Sequence, residues 1–203
     1  MSNKLYSFFK RIFDIFFSIT FIFLLIPIYL LIALKIKNDS EGPILYKPLR
    51  TGFNGKTFYI YKFRTMFVGS DLGPGTTSKS DKRITNFGYF LRKFKLDETP
   101  QFFNIIKGDM SFVGPRPLLE DYLEYYSFEE SKRHNVKPGL TGWAQINGRN
   151  QISWDKKFIL DIWYVRNQSF SLDILILFKT FWKVLKRDGI NNSKNITMPY
   201  FKR

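Results

Sequence analysis

The chain has 203 residues, 32 Lys and Arg against 17 Asp and Glu, a formal charge of +15, 23 Phe, one His and no Cys. The missing cysteines exclude disulfides, thiolate nucleophiles and Cys-based zinc sites. The lone His134 excludes a multi-histidine metal site within one chain and leaves any Ser-His-Asp triad a single candidate, so catalysis would rest on carboxylates, cations and a hard metal.

The length suggests one domain. So basic a surface favours polyanions, whether nucleic acid, anionic lipid or a phosphate-rich substrate. The Phe content favours contact with lipid over nucleic acid.

Residues 12–34, "IFDIFFSITFIFLLIPIYLLIAL", carry no charge from Ile15 onward. About 20 such residues at ~1.5 Å each match a hydrocarbon core ~30 Å thick. The segment is too long for a signal peptide and has no small-residue cleavage site after it. A single span would place Pro27 mid-helix, and Lys4, Lys10, Arg11, Lys35 and Lys37 make both flanks basic, so no orientation is preferred. A re-entrant helix bent near Pro27, with both ends in the cytoplasm, suits both flanks. Lys10 and Asp14 share a helix face.

Residues 43–66 predict β structure, with Asn54-Gly55 as a hairpin turn between "ILYKPLR" and "KTFYIYKFR". Residues 68–82, rich in Gly, Ser and Thr, predict a mobile loop. Helices follow at 86–95 and 100–107, the second started by Thr99 as N-cap and Pro100 as N1 and stopped by Gly108. Residues 108–119 turn sharply around Arg116. Residues 119–134 predict a charged, aromatic helix, and 137–149 a turn-rich segment. Residues 154–165 and 172–185 predict amphipathic helices able to lie at a membrane surface or on a core. The polar tail from Arg187 is expected to fray. The fold class is α+β, mostly helical with a small β-hairpin or sheet. It divides into a re-entrant anchor, 1–37, and an interfacial catalytic unit, 38–203.

Asp97 and Glu98 in "LDETP" admit two readings. They suit the dipole of the helix beginning at Pro100. They equally suit chemistry, because an ionised aspartate can attack phosphorus and two carboxylates can hold Mg²⁺. Lys62, Arg64, Arg92, Arg116 and Arg149, all predicted in or beside turns, are candidates for phosphate oxygens.

"YKFRTM" (61–66), "GYFLRKFKLDETPQFFNIIKGDMSFVGPRP" (88–117), "KPGLTGWAQINGR" (137–149) and "LDIWYVRNQSFSLDILILFKT" (160–180) together resemble the bacterial sugar transferase family, the monotopic phosphoglycosyl transferases. "KRIFD" (10–14) before an apolar run fits too, and the likeness covers nearly the whole chain. The chain looks like the minimal form, of the kind that transfers phospho-diacetylbacillosamine. The resemblance implies a UDP-sugar donor, an undecaprenyl phosphate acceptor, required Mg²⁺ and a place on the cytoplasmic face of a bacterial inner membrane. It implies ping-pong chemistry through a phosphosugar on Asp97, with Glu98 as partner and UMP leaving first. Arg116 matches a position linked to nucleotide binding, Arg92 an arginine important for conformation, and Asp173 a functionally sensitive acid. Ile26 stands where the family has a serine before the proline. The sugar is expected to be an N-acetylated amino sugar. The alternative is a non-catalytic basic membrane protein that binds nucleic acid or anionic lipid, which explains the charge but not "LDETP" or "GDMSFVGPRP".

Overall fold

The computed structural model describes residues 3–70, 81–148, 151–186 and 200–202. Most of the predicted loop, the tail and Arg149 lie outside them. The apolar segment forms one helix, α1 (Asn3–Asp39), with Pro27 inside it. One stripe of α1 faces the rest of the protein. Phe13, Phe17, Ile22 and Leu25 pack on a core that includes Phe102, Ile105, Met110, Phe112, Val113 and Ile176. Further along, Tyr29, Ile32 and Ile36 pack on Phe63 and Leu91. The other stripe, including Phe16, Ile19, Phe23, Leu24, Leu30, Leu31 and Leu34, is more than half exposed.

Polar contacts fix both ends of α1 to the same body. Near its start, Arg11 donates to the carbonyls of Ile105 (2.5 Å) and Ile106 (2.7 Å). Asp14 accepts from the Phe112 amide (3.0 Å) and the Ser111 hydroxyl (3.1 Å). Near its end, Asp39 accepts from the Phe87 amide at 3.0 Å. Arg64 donates to the carbonyls of Ser40 and Glu41 just beyond the helix.

The β structure is three small pairs. β1 (Leu45–Tyr46) runs antiparallel to β4 (Lys62–Phe63), which sets Tyr46 opposite Lys62. β2 (Leu49–Thr51) and β3 (Thr57–Tyr59) form the predicted hairpin, with Asn54 and Gly55 at φ 54° and 75° in the turn. β5 (Ser111–Val113) pairs in parallel with β6 (Gly139–Thr141). This third pair falls where the sequence predicts only turns, because three-residue strands leave no readable alternation.

α2 (Asn86–Phe94) is capped by the Thr85 hydroxyl, which accepts from the Gly88 amide at 3.0 Å. A 3-10 turn (Leu96–Glu98) continues through helical backbone at Thr99 and Pro100 into α3 (Gln101–Lys107). Thr99 is therefore not the predicted N-cap, and its hydroxyl donates back to the Leu96 carbonyl at 2.8 Å. Gly108, at φ 95°, ends α3 as predicted. The single helix expected at 119–134 is three pieces: a 3-10 helix (Glu120–Tyr125), α4 (Phe128–Ser131) and a 3-10 turn (Lys132–Asn135). The break comes at Ser127, which opens α4 with a capping box to Glu130. A short α5 (Trp143–Ile146) precedes the two long predicted helices, α6 (Trp154–Arg166) and α7 (Phe170–Lys186).

Candidate active site

The 3-10 turn between α2 and α3 carries Asp97 and Glu98, and neither carboxylate caps α3. The turn uses its own amides, with Glu98 N donating to Lys95 O and Thr99 N to Leu96 O. Glu98 points to two cations. Lys62 Nζ reaches its Oε1 at 2.8 Å and Arg116 Nη2 reaches the same oxygen at 2.7 Å. Lys62 comes from β4. Its strand is steadied by Asn104 of α3, which accepts from the Tyr61 amide (2.9 Å) and donates to the Tyr59 carbonyl (2.8 Å). Arg116 comes from the turn after β5, between Pro115 and Pro117.

Asp97 is 9% exposed, and its Oδ1 has no hydrogen-bond partner among the described residues. Burial, and then the charge of Glu98, push its carboxyl above the usual range. Burial also opposes the charge on Glu98, but Arg116 and Lys62 prevail and hold it well below the ordinary carboxylate range. Arg92 lies within electrostatic reach of Asp97, with its Nε donating to the Thr65 hydroxyl at 2.8 Å.

The structure therefore brings together Asp97, Glu98, Lys62, Arg92 and Arg116. It spends Arg64 on the end of α1, with both terminal nitrogens on backbone carbonyls. It puts Asp173 beneath the start of α1, paired with Lys10 and accepting from Tyr6 (2.8 Å) and Tyr164 (2.7 Å). Both residues join α1 to the rest of the protein, away from the group around Asp97 and Glu98. His134 is buried, and that burial with the adjacent Arg133 pushes it down to about 3, so it is neutral and unsuited to act as a base near pH 7.

Sequence reasoning passed over what lies behind Arg116. Arg133 and Asp161 form an ion pair at 2.8 Å with side chains 1% and 3% exposed. The Arg133 guanidinium also donates to the Arg116 carbonyl at 2.8 Å. No local pattern marks such a pair, since its members are 28 positions apart.

Among the described residues no group of three or more His, Asp or Glu side chains could cage a metal. The pair at 97–98 nonetheless fits Mg²⁺, which takes one or two carboxylates and completes its shell with water and substrate phosphate. Because no donor among the described residues occupies Asp97 Oδ1, the carboxylate has an oxygen to spare beyond the one such a cation would take.

The model of one family, bacterial sugar transferase, matches residues 5–187. The chain is 46% identical over 192 residues to the uncharacterized sugar transferase EpsL of Bacillus subtilis (strain 168), covering 95% of each. It is 41% identical over 205 residues to the undecaprenyl-phosphate galactose phosphotransferase of Salmonella typhimurium, covering 93% of this chain and 43% of that protein. Against the UDP-N-acetylgalactosamine-undecaprenyl-phosphate N-acetylgalactosaminephosphotransferase of Aeromonas hydrophila the identity is 38% over 196 residues, covering 93% and 46%. The chain thus spans nearly all of the first relative and under half of the other two. With the family matched over residues 5–187 and 46% identity to a relative covered over 95% of its length, the chain belongs to the bacterial sugar transferase family.

Proposed function

We propose that this protein transfers a sugar 1-phosphate from a UDP-sugar to undecaprenyl phosphate in two steps through Asp97. In the first step, Asp97 Oδ1 attacks the sugar-bearing phosphorus. An aspartyl–phosphorus bond forms, the bond to the bridging oxygen breaks, and UMP leaves with that oxygen. In the second step, an oxygen of the lipid phosphate attacks the same phosphorus and frees Asp97. The observation that carries this reading is the buried Asp97, whose Oδ1 has no partner among the described residues, beside a Glu98 already neutralised by Lys62 and Arg116. Glu98 thereby fixes two cations at the edge of the site, where they face the diphosphate. Arg92 adds positive charge on the other side, and Arg149 remains a candidate for the same anion. Mg²⁺, held by Asp97 and by what coordination Glu98 has left, would neutralise phosphate charge and ease ionisation of Asp97.

The donor is proposed to be an N-acetylated amino sugar, in keeping with the Aeromonas relative's name. A neutral hexose is the second reading, favoured by the name of the Salmonella relative. Intact-mass measurement after incubation with donor and Mg²⁺, without acceptor, tests mechanism and sugar together. The expected result is a gain of one sugar phosphate on wild type, greatest for one member of a panel of UDP-sugars. No adduct with any donor, together with sequential kinetics, would rule out the covalent route.

The proposed membrane placement is supported by α1. Its window of highest hydropathy is only 11% buried, so an apolar surface awaits lipid. Both ends are bonded to one body, which favours a re-entrant helix (residues 1–37) over a span, with the catalytic unit (38–203) on the cytoplasmic face of the inner membrane. Positive charge on that unit suits anionic head groups. Tags at Asn3 and Lys37 are expected to be labelled from the same side of inverted vesicles. Labelling from opposite sides would establish a span.

A further inference from the structure

The buried pair behind the site suggests a role that stability alone does not explain. Arg133 donates through Nε (3.1 Å) and Nη2 (2.8 Å) to Asp161 Oδ2 of α6. Nη2 also donates to the carbonyl of Arg116. Replacing a fully buried ion pair by apolar side chains of similar volume is often neutral or stabilising. What apolar side chains cannot replace is the donor to Arg116.

That carbonyl lies in the turn that presents the Arg116 guanidinium to Glu98. On one side the turn is held by β6, with Gly114 N donating to Thr141 O and Gly139 N to Pro115 O, both at 2.9 Å. On the other side it is held by Arg133. The guanidinium fork suits this task, because it is planar and serves a carboxylate and a carbonyl at once. His134, stacked edge-on against Tyr126, and the rings of Tyr126 and Phe158 near the Arg133 guanidinium keep water from the junction.

We propose that Arg133, oriented by Asp161, is a positioning residue for the transfer reaction, acting through the Arg116 backbone to keep the Arg116 guanidinium on Glu98. The proposal rests on the two-step reading, since it matters only if Glu98 must be held for Asp97 to react. It links α6 to the carboxylate pair through one chain of contacts: Asp161, Arg133, Arg116, Glu98.

The test is UMP release by the full chain in detergent or native membranes, with thermal unfolding followed in parallel. Arg133→Met with Asp161→Leu is expected to keep a thermal midpoint near that of wild type while losing about tenfold in kcat/KM, within the usual range for coupled neighbours. Arg133→Lys, which retains the charge and so guards against failure to fold, is expected to lose activity similarly. In an Arg116→Lys background, the further loss from either change is expected to fall below about twofold. Native turnover in the Met–Leu variant, or losses that multiply undiminished in the Arg116→Lys background, would overturn the proposal. Asp97→Asn is the control. If it is dead while the cycle is additive, only the role of Arg133 fails. If it turns over like wild type, or wild type releases no UMP, the two-step reading fails and this proposal with it.

Discussion

Asp97→Asn is expected to abolish UMP release, by about 10³-fold at the least and towards the ~10⁶-fold typical of a deleted nucleophile, while the protein stays folded. An amide keeps the shape of the carboxylate but cannot form the phosphate ester. The same change gives a stability result of informative sign. The folded environment raises the Asp97 pKa, through burial and then through Glu98. A group raised on folding contributes stability below its unfolded pKa and loses it as pH rises through the folded one. Above its unfolded value the raised Asp97 therefore opposes folding, and Asn relieves it. The thermal midpoint of Asp97→Asn is expected to match or exceed wild type at pH 7.5, with the advantage shrinking towards pH 4. Glu98 has the opposite sign. Its pKa is depressed, so its contribution is present above the unfolded value and is lost as pH falls through the folded one. Glu98→Gln should thus destabilise at pH 7.5, by about 2 kcal/mol for charge-assisted hydrogen bonds lost, and less in acid. Paired melts at two pH values would show neighbouring residues diverging, and like signs for both would contradict the assigned environments.

Gly114→Ala is expected to damage both folding and turnover. A Cβ there would meet the Lys137 carbonyl at 2.3 Å and the Gly139 amide at 2.8 Å. Both are backbone atoms in the β5–β6 contact, so no side chain can swing aside. The cost should reach about 3 kcal/mol or more, the upper range for overpacking. Because Arg116 lies two residues on, the displaced turn should also carry its guanidinium off Glu98. A misplacement near 1 Å can cost about 10²-fold in rate, so UMP release should drop by that order even at temperatures where the variant is folded. Gly108→Ala is the contrast. Its Cβ would meet nothing closer than Lys137 Nζ at 3.4 Å, and the penalty is only the left-handed backbone at φ 95°. A melt and a rate assay on both variants separate the two costs, and a Gly114→Ala protein as stable and active as wild type would show that β5 and β6 do not pack this closely.

What could be read in advance was what short local patterns encode. Asn54-Gly55 announced the hairpin, Gly108 the end of α3, and the periodicity of 154–186 both long helices. Asp97, Glu98, Lys62, Arg92 and Arg116 stood out because charged side chains crowd turns in a chain otherwise rich in apolar residues. The parallel β5–β6 pair was illegible, since its strands are three residues each and belong to distant segments. Arg64 looked like Lys62 in sequence, two positions away on the same segment, yet faces the end of α1 and not the site. Thr99 has the composition of a cap but sits inside a continuous helical run, which only backbone dihedrals disclose. The raised pKa of Asp97 depends on burial, which no spacing rule supplies.

The contacts of α1 also constrain the order of assembly. Lys10 of α1 is synthesised 163 positions before its partner Asp173. Domains tend to form as the ribosome delivers them, but Tyr6 and Lys10 of α1 lack this partner until α7 has emerged. Translation is therefore expected to leave α1 as a lone helix with its apolar stripe resting in lipid. The catalytic body then closes onto it from the same side, so lipid acts as a holding chaperone for the unfinished enzyme.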